Sequence, residues 1–380
     1  MATTSTRTMW KTLLTSQFSC RLPVVGPPMI GVSGGTWAAA IQRAGGLGFL
    51  AAGHLMEKND AALKQEINLY RTEMETHGLD PTFLALGFIG HSATKDDKAW
   101  QRYEQLLDQE RPTVVQFFAP AVTHHSQQKS HTNISLAQEY GAKVMVQVGN
   151  VAEARQALEA GADAIVAQGA EAGGHGLRPP LGRALLPLLA DIQSLVRQQQ
   201  QRDGRSLPVA VLAAGGMTTG AMAAAALCAG ADGVVLGTRL WASREALGHD
   251  SYKQALVQAA SCDDVVRTTV VDQIQNHYVP HPWPKPFDSL GVLQNKVTRQ
   301  WEGRTDALTQ ALGSEHKCTA SDFQKACNDG NVERGAVLTG QGVGQIYSID
   351  SVADILARVE SEMIESIQGL SSKVLRSEKE

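Results

Sequence analysis

What this 380-residue chain lacks narrows its class before any motif is considered. Its five cysteines (Cys20, Cys228, Cys262, Cys318, Cys327) are odd in number and form no CxxC pair. That excludes a disulfide framework or a cysteine zinc site and fits free thiols in a reducing compartment. No apolar run approaches the ~20 residues that span a bilayer, so no membrane partner is expected. The net charge is only −4, with acids and bases interspersed, which gives no basic face for nucleic acid. Aromatics are scarce at 5%, whereas glycine is plentiful at 36 residues. The opening MATTSTRTMWK contains no acid and is rich in Ser and Thr, as some transit peptides are. The competing reading is structural: Trp10, Leu13, Leu14 and Phe18 suit the packing face of a short helix leading into the first strand. The expected location is the cytoplasm, with an organelle left open.

What the chain does contain is organised around Asp163–Gly176, DAIVAQGAEAGGHG. Ala164–Ala167 is a short apolar run of the kind buried on both faces of a parallel sheet. Gly173 and Gly174 then allow a sharp turn and close approach of the backbone. His175 follows, the side chain best suited to proton transfer near neutral pH. A histidine on a glycine loop at the C-terminal end of a parallel strand is where α/β barrels place their chemistry. The same loop also reads as a tight strand-to-helix turn with a locally bonded histidine.

On either side the chain repeats one unit, an apolar run followed by a helical stretch. Strands are expected at Pro23–Val25, Leu47–Ala51, Phe83–Phe88, Val114–Phe118, Val144–Val148, the anchor strand itself, Val209–Ala213 and Val234–Leu236. Thr94 with Asp97, and Asn150 with Glu153, resemble capping boxes at two helix starts. Ala160-Gly161-Ala162-Asp163 and Ala229-Gly230-Ala231-Asp232 repeat one helix-stop device, with glycine at the left-handed position after the helix. Eight strand–helix units without a hairpin signal predict an α/β fold closed as a (β/α)8 TIM barrel; an open doubly wound sheet is the alternative. The expected division is a barrel over 1–244, a smaller, mostly helical substrate-side addition over 245–345, and a closing helix with a frayed tail over 346–380. Within the addition, HYVPHPWPKP (277–286) is too rich in proline for a helix or central strand.

Barrels commonly hold a cofactor phosphate with the loops after strands 7 and 8. Here these loops read Ala214-Gly215-Gly216-Met217-Thr218-Thr219-Gly220 and Gly237-Thr238-Arg239, both offering backbone N–H groups at a helix start. Arg239 suits either the phosphate or a structural ion pair. Other strand ends carry His54, His91, His124, His125, Gln147 and Gln168. No histidine pair has metal-ligand spacing and no carboxylate accompanies them, so no metal is expected. No lysine ends a strand, which argues against Schiff-base chemistry.

PPMIGVSGG, AGGLGFLAAG, VAQGAEAGGHG, LAAGGMTTG and VVLGTRL, in that order, resemble the nitronate monooxygenase family (the former 2-nitropropane dioxygenases). The likeness covers residues 20–245, with GQGVGQI near the end matching more loosely. It implies an FMN on the barrel top. Pro28 and Met29 would lie beside its ring system, and Gln168 and Gly173 would bond the flavin or its ribityl chain. Gly215, Gly216, Leu236, Gly237 and Thr238 would hold the phosphate, with Gly174 and Gln147 also counted as cofactor-side. His175 matches the family's catalytic histidine. The implied activity converts alkyl nitronates with O2 to a carbonyl compound and nitrite, with an oligomer possible. The alternative is an NAD(P)H-dependent flavin reductase of the enoyl-acyl-carrier-protein or quinone reductase type, which shares the EAGGH loop. Two features depart from the family pattern: His175 abuts Gly176 directly, and the Pro-rich insertion is extra. The insertion leans away from the enoyl reductases.

Overall fold

The computed structural model describes residues 9–58, 60–128, 130–203, 208–279, 282–313 and 318–374. Its strands are β1 (Val24–Gly26), β2 (Leu47–Gly48), β3 (Leu50–Ala51), β4 (Ala85–Ile89), β5 (Val114–Phe118), β6 (Lys143–Val148), β7 (Ala164–Gln168), β8 (Gly174–Gly176), β9 (Ala210–Ala214), β10 (Gly233–Val235), β11 (Val265–Thr268) and β12 (Ser289–Leu293). Nine of them form one sheet in the order β2-β1-β10-β9-β7-β6-β5-β4-β3, and every pairing in it is parallel. The two ends of that order, β2 and β3, are separated only by Phe49. They are halves of a single strand, so the sheet closes on itself as the expected α/β barrel.

Strand parity explains why these short runs close. In β7, Ala164 and Val166 face the barrel interior, while Ile165 and Ala167 pack outward against the helices. Ala210 and Leu212 of β9 point inward in the same way, and Val211 and Ala213 point outward. The N-terminal end of the barrel is plugged by the helix Leu13–Gln17, whose Leu14 is fully buried with Phe18 at its end. Gly233 leaves the space that Leu14 fills. Trp10, Leu13, Leu14 and Phe18 therefore take the packing role, whereas the first eight residues of the transit-like segment lie outside the described residues.

The repeated helix stop is visible as a physical device. Gly161 and Gly230 sit at φ +98° and +95°, conformations that favour glycine. The aspartate two residues later then accepts from the strand beside it: Asp163 Oδ2 from Val144 N at 2.7 Å, and Asp232 Oδ2 from Val211 N at 2.9 Å. The capping boxes differ from expectation. The helix Asp97–Glu110 is capped by Asp96, which accepts from Ala99 N, while the Thr94 hydroxyl bonds the Gly90 carbonyl. Asn150 does cap its helix, but the Glu153 carboxylate takes the N–H of Gly149.

Beyond β10 the chain adds the helices Asp250–Gln258, Val270–Gln275, Lys296–Trp301, Thr305–Gly313 and Cys318–Asn328. It also adds an antiparallel sheet, β11-β12-β8, that the sequence reading did not contain. Residues 337–339 run beside β12. The helix Val352–Val374 returns to the barrel and packs on Gly35–Arg43 and Gly220–Cys228, across the seam where β1 pairs with β10. None of the described helices is long and apolar enough to cross a membrane.

Candidate functional site

At the C-terminal mouth of the barrel the interior positions change from apolar to amide. Gln116, Gln147 and Gln168 share the inward parity of Val114, Met145 and Val166. Gln116 Nε2 donates to Gln147 Oε1 at 3.2 Å, and the Gln116 Oε1 is buried without a partner among the described residues. Gln168 Nε2 donates to the His175 carbonyl at 2.9 Å, so this side chain fastens the glycine loop to its own strand.

The loop is held from both sides. Gly174, at φ +65°, opens β8, which pairs with β12 so that His175 lies opposite Leu290. A Cβ on Gly173 would come within 2.5 Å of the Thr339 backbone, so the close approach this glycine allows is to residues 339–340 of the same chain. Arg267 of β11 donates to the carbonyls of Ala170, Ala172 and Ser289 at 3.0, 2.6 and 3.1 Å. Burial pulls its guanidinium down to about 10 from the usual arginine range. Glu171 caps Leu185 N through Oε1, and its Oε2 is buried without a partner among the described residues.

Two residues the sequence reading did not single out complete this corner. His175 Nε2 lies 3.0 Å from Asp272 Oδ1, in the helix Val270–Gln275. The side chains are 14% and 2% exposed. The Trp283 indole stacks on the imidazole with centroids 3.6 Å apart and 15° between planes, and lies 4.8 Å from His91. Trp283 belongs to the Pro-rich stretch and joins Ile89, Phe118, Leu177 and Phe287 in an apolar wall. Neither residue has a local signal. Asp272 sits on a short amphipathic segment and Trp283 among prolines, both about 100 residues after the histidine they meet.

The two glycine loops meet the requirements of an anion cradle. Gly215 and Gly216 adopt φ +122° and +68°. A Cβ on Gly216 or Gly237 would meet nothing closer than 3.8 Å, so neither glycine backbone is crowded on that side. Among the described residues, the N–H groups of Gly215, Gly216, Met217, Thr218, Gly237 and Thr238 donate to no protein acceptor. Backbone donors in this state suit a phosphate. The helix start differs from expectation, because the Gly220 N–H is taken by Glu362 at 2.6 Å and Met222 N by Thr219. The donors therefore lie in the loops, ahead of the helix. Gly340 N donates to Thr238 Oγ1 and Thr218 Oγ1 to the Gly342 carbonyl, which brings residues 340–342 against both loops.

The remaining candidates fall around this cradle. Pro28 packs on Gly87 of β4, and a Cβ on Gly237 would lie 3.8 Å from the Met29 sulfur. Leu236 is fully buried, its N–H bonded to the Val25 carbonyl. Arg239 is structural: it is 4% exposed and donates to the Ser348 carbonyl and Asp350. Burial lowers its pKa while Asp350 opposes the shift. His91 Nδ1 bonds the Ala119 carbonyl, and His124 pairs by backbone with Thr132. The side chain of His54 lies outside the described residues.

Comparison with known proteins extends this picture to the whole chain. A nitronate monooxygenase of Neurospora crassa is 26% identical over 92% of this chain and 91% of its own length. A Mycobacterium tuberculosis protein named as a (3aS,4S,5R,7aS)-5-hydroxy-7a-methyl-1-oxo-octahydro-1H-indene-4-carboxyl-CoA dehydrogenase is 28% identical over 96% and 99%. Among solved structures, FabK from Thermotoga maritima matches with a TM-score of 0.70 at 24% identity, covering 96% of this chain and 100% of that one. The nitroalkane oxidase of Streptomyces ansochromogenes matches at 0.68 and 24%, covering 93% and 98%; both show the shared fold. The family model described as nitronate monooxygenase matches residues 11–362. The chain belongs to the nitronate monooxygenase family and is a flavin-dependent oxidoreductase.

Proposed function

We propose that the protein is an FMN-dependent nitronate monooxygenase that oxidises alkyl nitronates with O2 to a carbonyl compound and nitrite. The observation that carries the reading is the half-buried His175 at the barrel mouth, with its far nitrogen on Asp272 and one face on Trp283. The donors of Gly215–Thr218 and Gly237–Thr238 would hold the single phosphate, and Pro28, Met29, Gln147, Gln168 and Gly173 would border the ring and its chain. The bound flavin supplies the electron acceptance that the side chains lack. His175 offers a hydrogen-bonding or positive pole to the nitro group and accepts the α-proton when a neutral nitroalkane enters. The stretch 245–345, which supplies Asp272 and Trp283, is assigned to the substrate side. The four described cysteines, Cys20, Cys228, Cys262 and Cys327, are free thiols, which supports a cytoplasmic location.

The second reading is an NAD(P)H-dependent flavin reductase of the enoyl-acyl-carrier-protein or quinone reductase type. It is favoured by the length-wide similarity to a protein named as a dehydrogenase of a CoA thioester. One set of measurements separates the two. The purified protein is expected to be yellow, to release FMN on denaturation, and to take up O2 with propionate 3-nitronate. Steady NAD(P)H oxidation with an enoyl thioester or quinone, and no O2 uptake with the nitronate, would establish the second reading instead.

A further inference from the structure

His175 has two ring nitrogens, and the structure gives only one of them a partner among the described residues. Nε2 lies 3.0 Å from Asp272 Oδ1. A carboxylate only accepts hydrogen bonds, so this contact places the imidazole proton on Nε2 and leaves a lone pair on Nδ1. The ring is also fixed in place. Trp283 covers one face at 3.6 Å, and Gln168 grips the His175 carbonyl at 2.9 Å. The surrounding charges are already engaged elsewhere. Arg267 of β11, beside Gly176, is tied to three carbonyls. Arg178 forms a two-pronged pair with Asp288 at 2.9 and 2.5 Å, and Glu171 caps Leu185. The His91 ring lies against Trp283, with centroids 4.8 Å apart. Among the described residues, Asp272, with its Oδ2 buried and unpartnered, is the charge that meets the imidazole.

We propose that Asp272 is a positioning residue that holds His175 as the Nε2–H tautomer, so that Nδ1 is the nitrogen that takes the substrate proton. The α-C–H bond of a neutral nitroalkane breaks, its electron pair passes into the nitro group to give the nitronate, and the proton forms Nδ1–H. The resulting imidazolium lies between the Asp272 carboxylate and the face of Trp283, and both stabilise positive charge. Which proton is taken rests on the nitronate reading; the tautomer does not.

The test uses flavin-loaded enzyme with 15N-labelled histidine. The His175 signals are assigned by their loss in His175→Asn. In the wild type, NMR should show a protonated Nε2 and an unprotonated Nδ1. In Asp272→Asn the amide can turn and donate to Nε2, which moves the ring proton to Nδ1. That variant should lose ~10²–10⁴-fold in kcat/KM on a neutral nitroalkane, the usual worth of general-base assistance, and far less on the preformed nitronate. Asp272→Glu, which keeps the acceptor, should recover part of the loss. A wild-type ring protonated on Nδ1 would overturn the proposal, as would equal losses on the two substrates. If the wild type oxidises neither nitro substrate, the nitronate reading fails while the NMR signals still decide the tautomer.

Discussion

At the scale of single residues, His175 and Gly216 carry the sharpest expectations. His175→Asn removes a proton acceptor, so activity on a neutral nitroalkane should fall ~10²–10⁴-fold while the preformed nitronate suffers less. Steady-state kinetics on both substrates checks this, and unchanged rates with flavin still bound would reduce the loop to a structural turn. Gly216→Asp places a carboxylate where a φ of +68° already disfavours any side chain and beside the loop N–H groups that find no acceptor among the described residues. Flavin content after purification should drop to near zero with far-UV circular dichroism retained; normal flavin content would move the phosphate elsewhere. Both residues stand out in the sequence because a histidine and two glycines at strand ends form a local pattern. Asp272 and Trp283 do not, because what selects them is a meeting in space across about 100 residues of chain. Arg239 illustrates the remaining ambiguity, since only its buried bonds to Ser348 and Asp350 separate an ion pair from a phosphate ligand.

At the scale of elements, the eight barrel strands are legible to within a residue or two, because both faces of each are mostly apolar and glycine or proline flanks each one. The antiparallel sheet is not legible. β8 is Gly-His-Gly, three residues with no hydrophobic alternation, and it becomes a strand only because β12 lies beside it. That dependence yields a prediction for Gly173→Ala. The added methyl meets the Thr339 and Gly340 backbone at 2.5–2.8 Å, and backbone cannot give way as a side-chain tip can. The β8–β12 pairing should loosen, with faster amide exchange at residues 174–176 and loss of activity; unaltered exchange there would refute the account. The Pro-rich stretch makes its own prediction through Trp283. Trp283→Ala removes part of the apolar wall with Phe118 and Phe287. The ratio of kcat/KM for a bulky over a small nitronate should rise by roughly tenfold, as apolar pocket changes of this size do. A ratio that stays put would place Trp283 outside the substrate's path.

At the scale of the whole molecule, the closing helix is tied back to the barrel by ion pairs that sequence alone does not reveal. Asp350 joins the barrel's last turn to the closing helix, bonding Ser348, Arg358 and buried Arg239. The Ser348 hydroxyl first, then Arg358 and Arg239, hold its carboxyl below the usual carboxylate value. An acid whose folded value is depressed stabilises the fold above its unfolded pKa of about 3.9, and that contribution is lost as pH falls through the lower folded value. Asp350→Asn should therefore cost about 1–3 kcal/mol at pH 7, the order expected for weakening a buried charged donor's bond. Urea unfolding at pH 7 and near pH 3 checks it. The gap between wild type and variant should narrow in acid, and a gap independent of pH would assign the loss to packing.

Residues 340–342 come near the end of the chain, yet they press against both glycine loops, through Thr238 and Thr218. Protein synthesis proceeds from the other end. A nascent chain thus exposes all nine parallel strands and both loops while the wall that backs them is still unmade. On the proposed placement, a flavin cannot be firmly held until residues 340–342 have left the ribosome. Cofactor loading then follows the emergence of residues 340–342, and a yellow molecule certifies that its chain has been made at least that far.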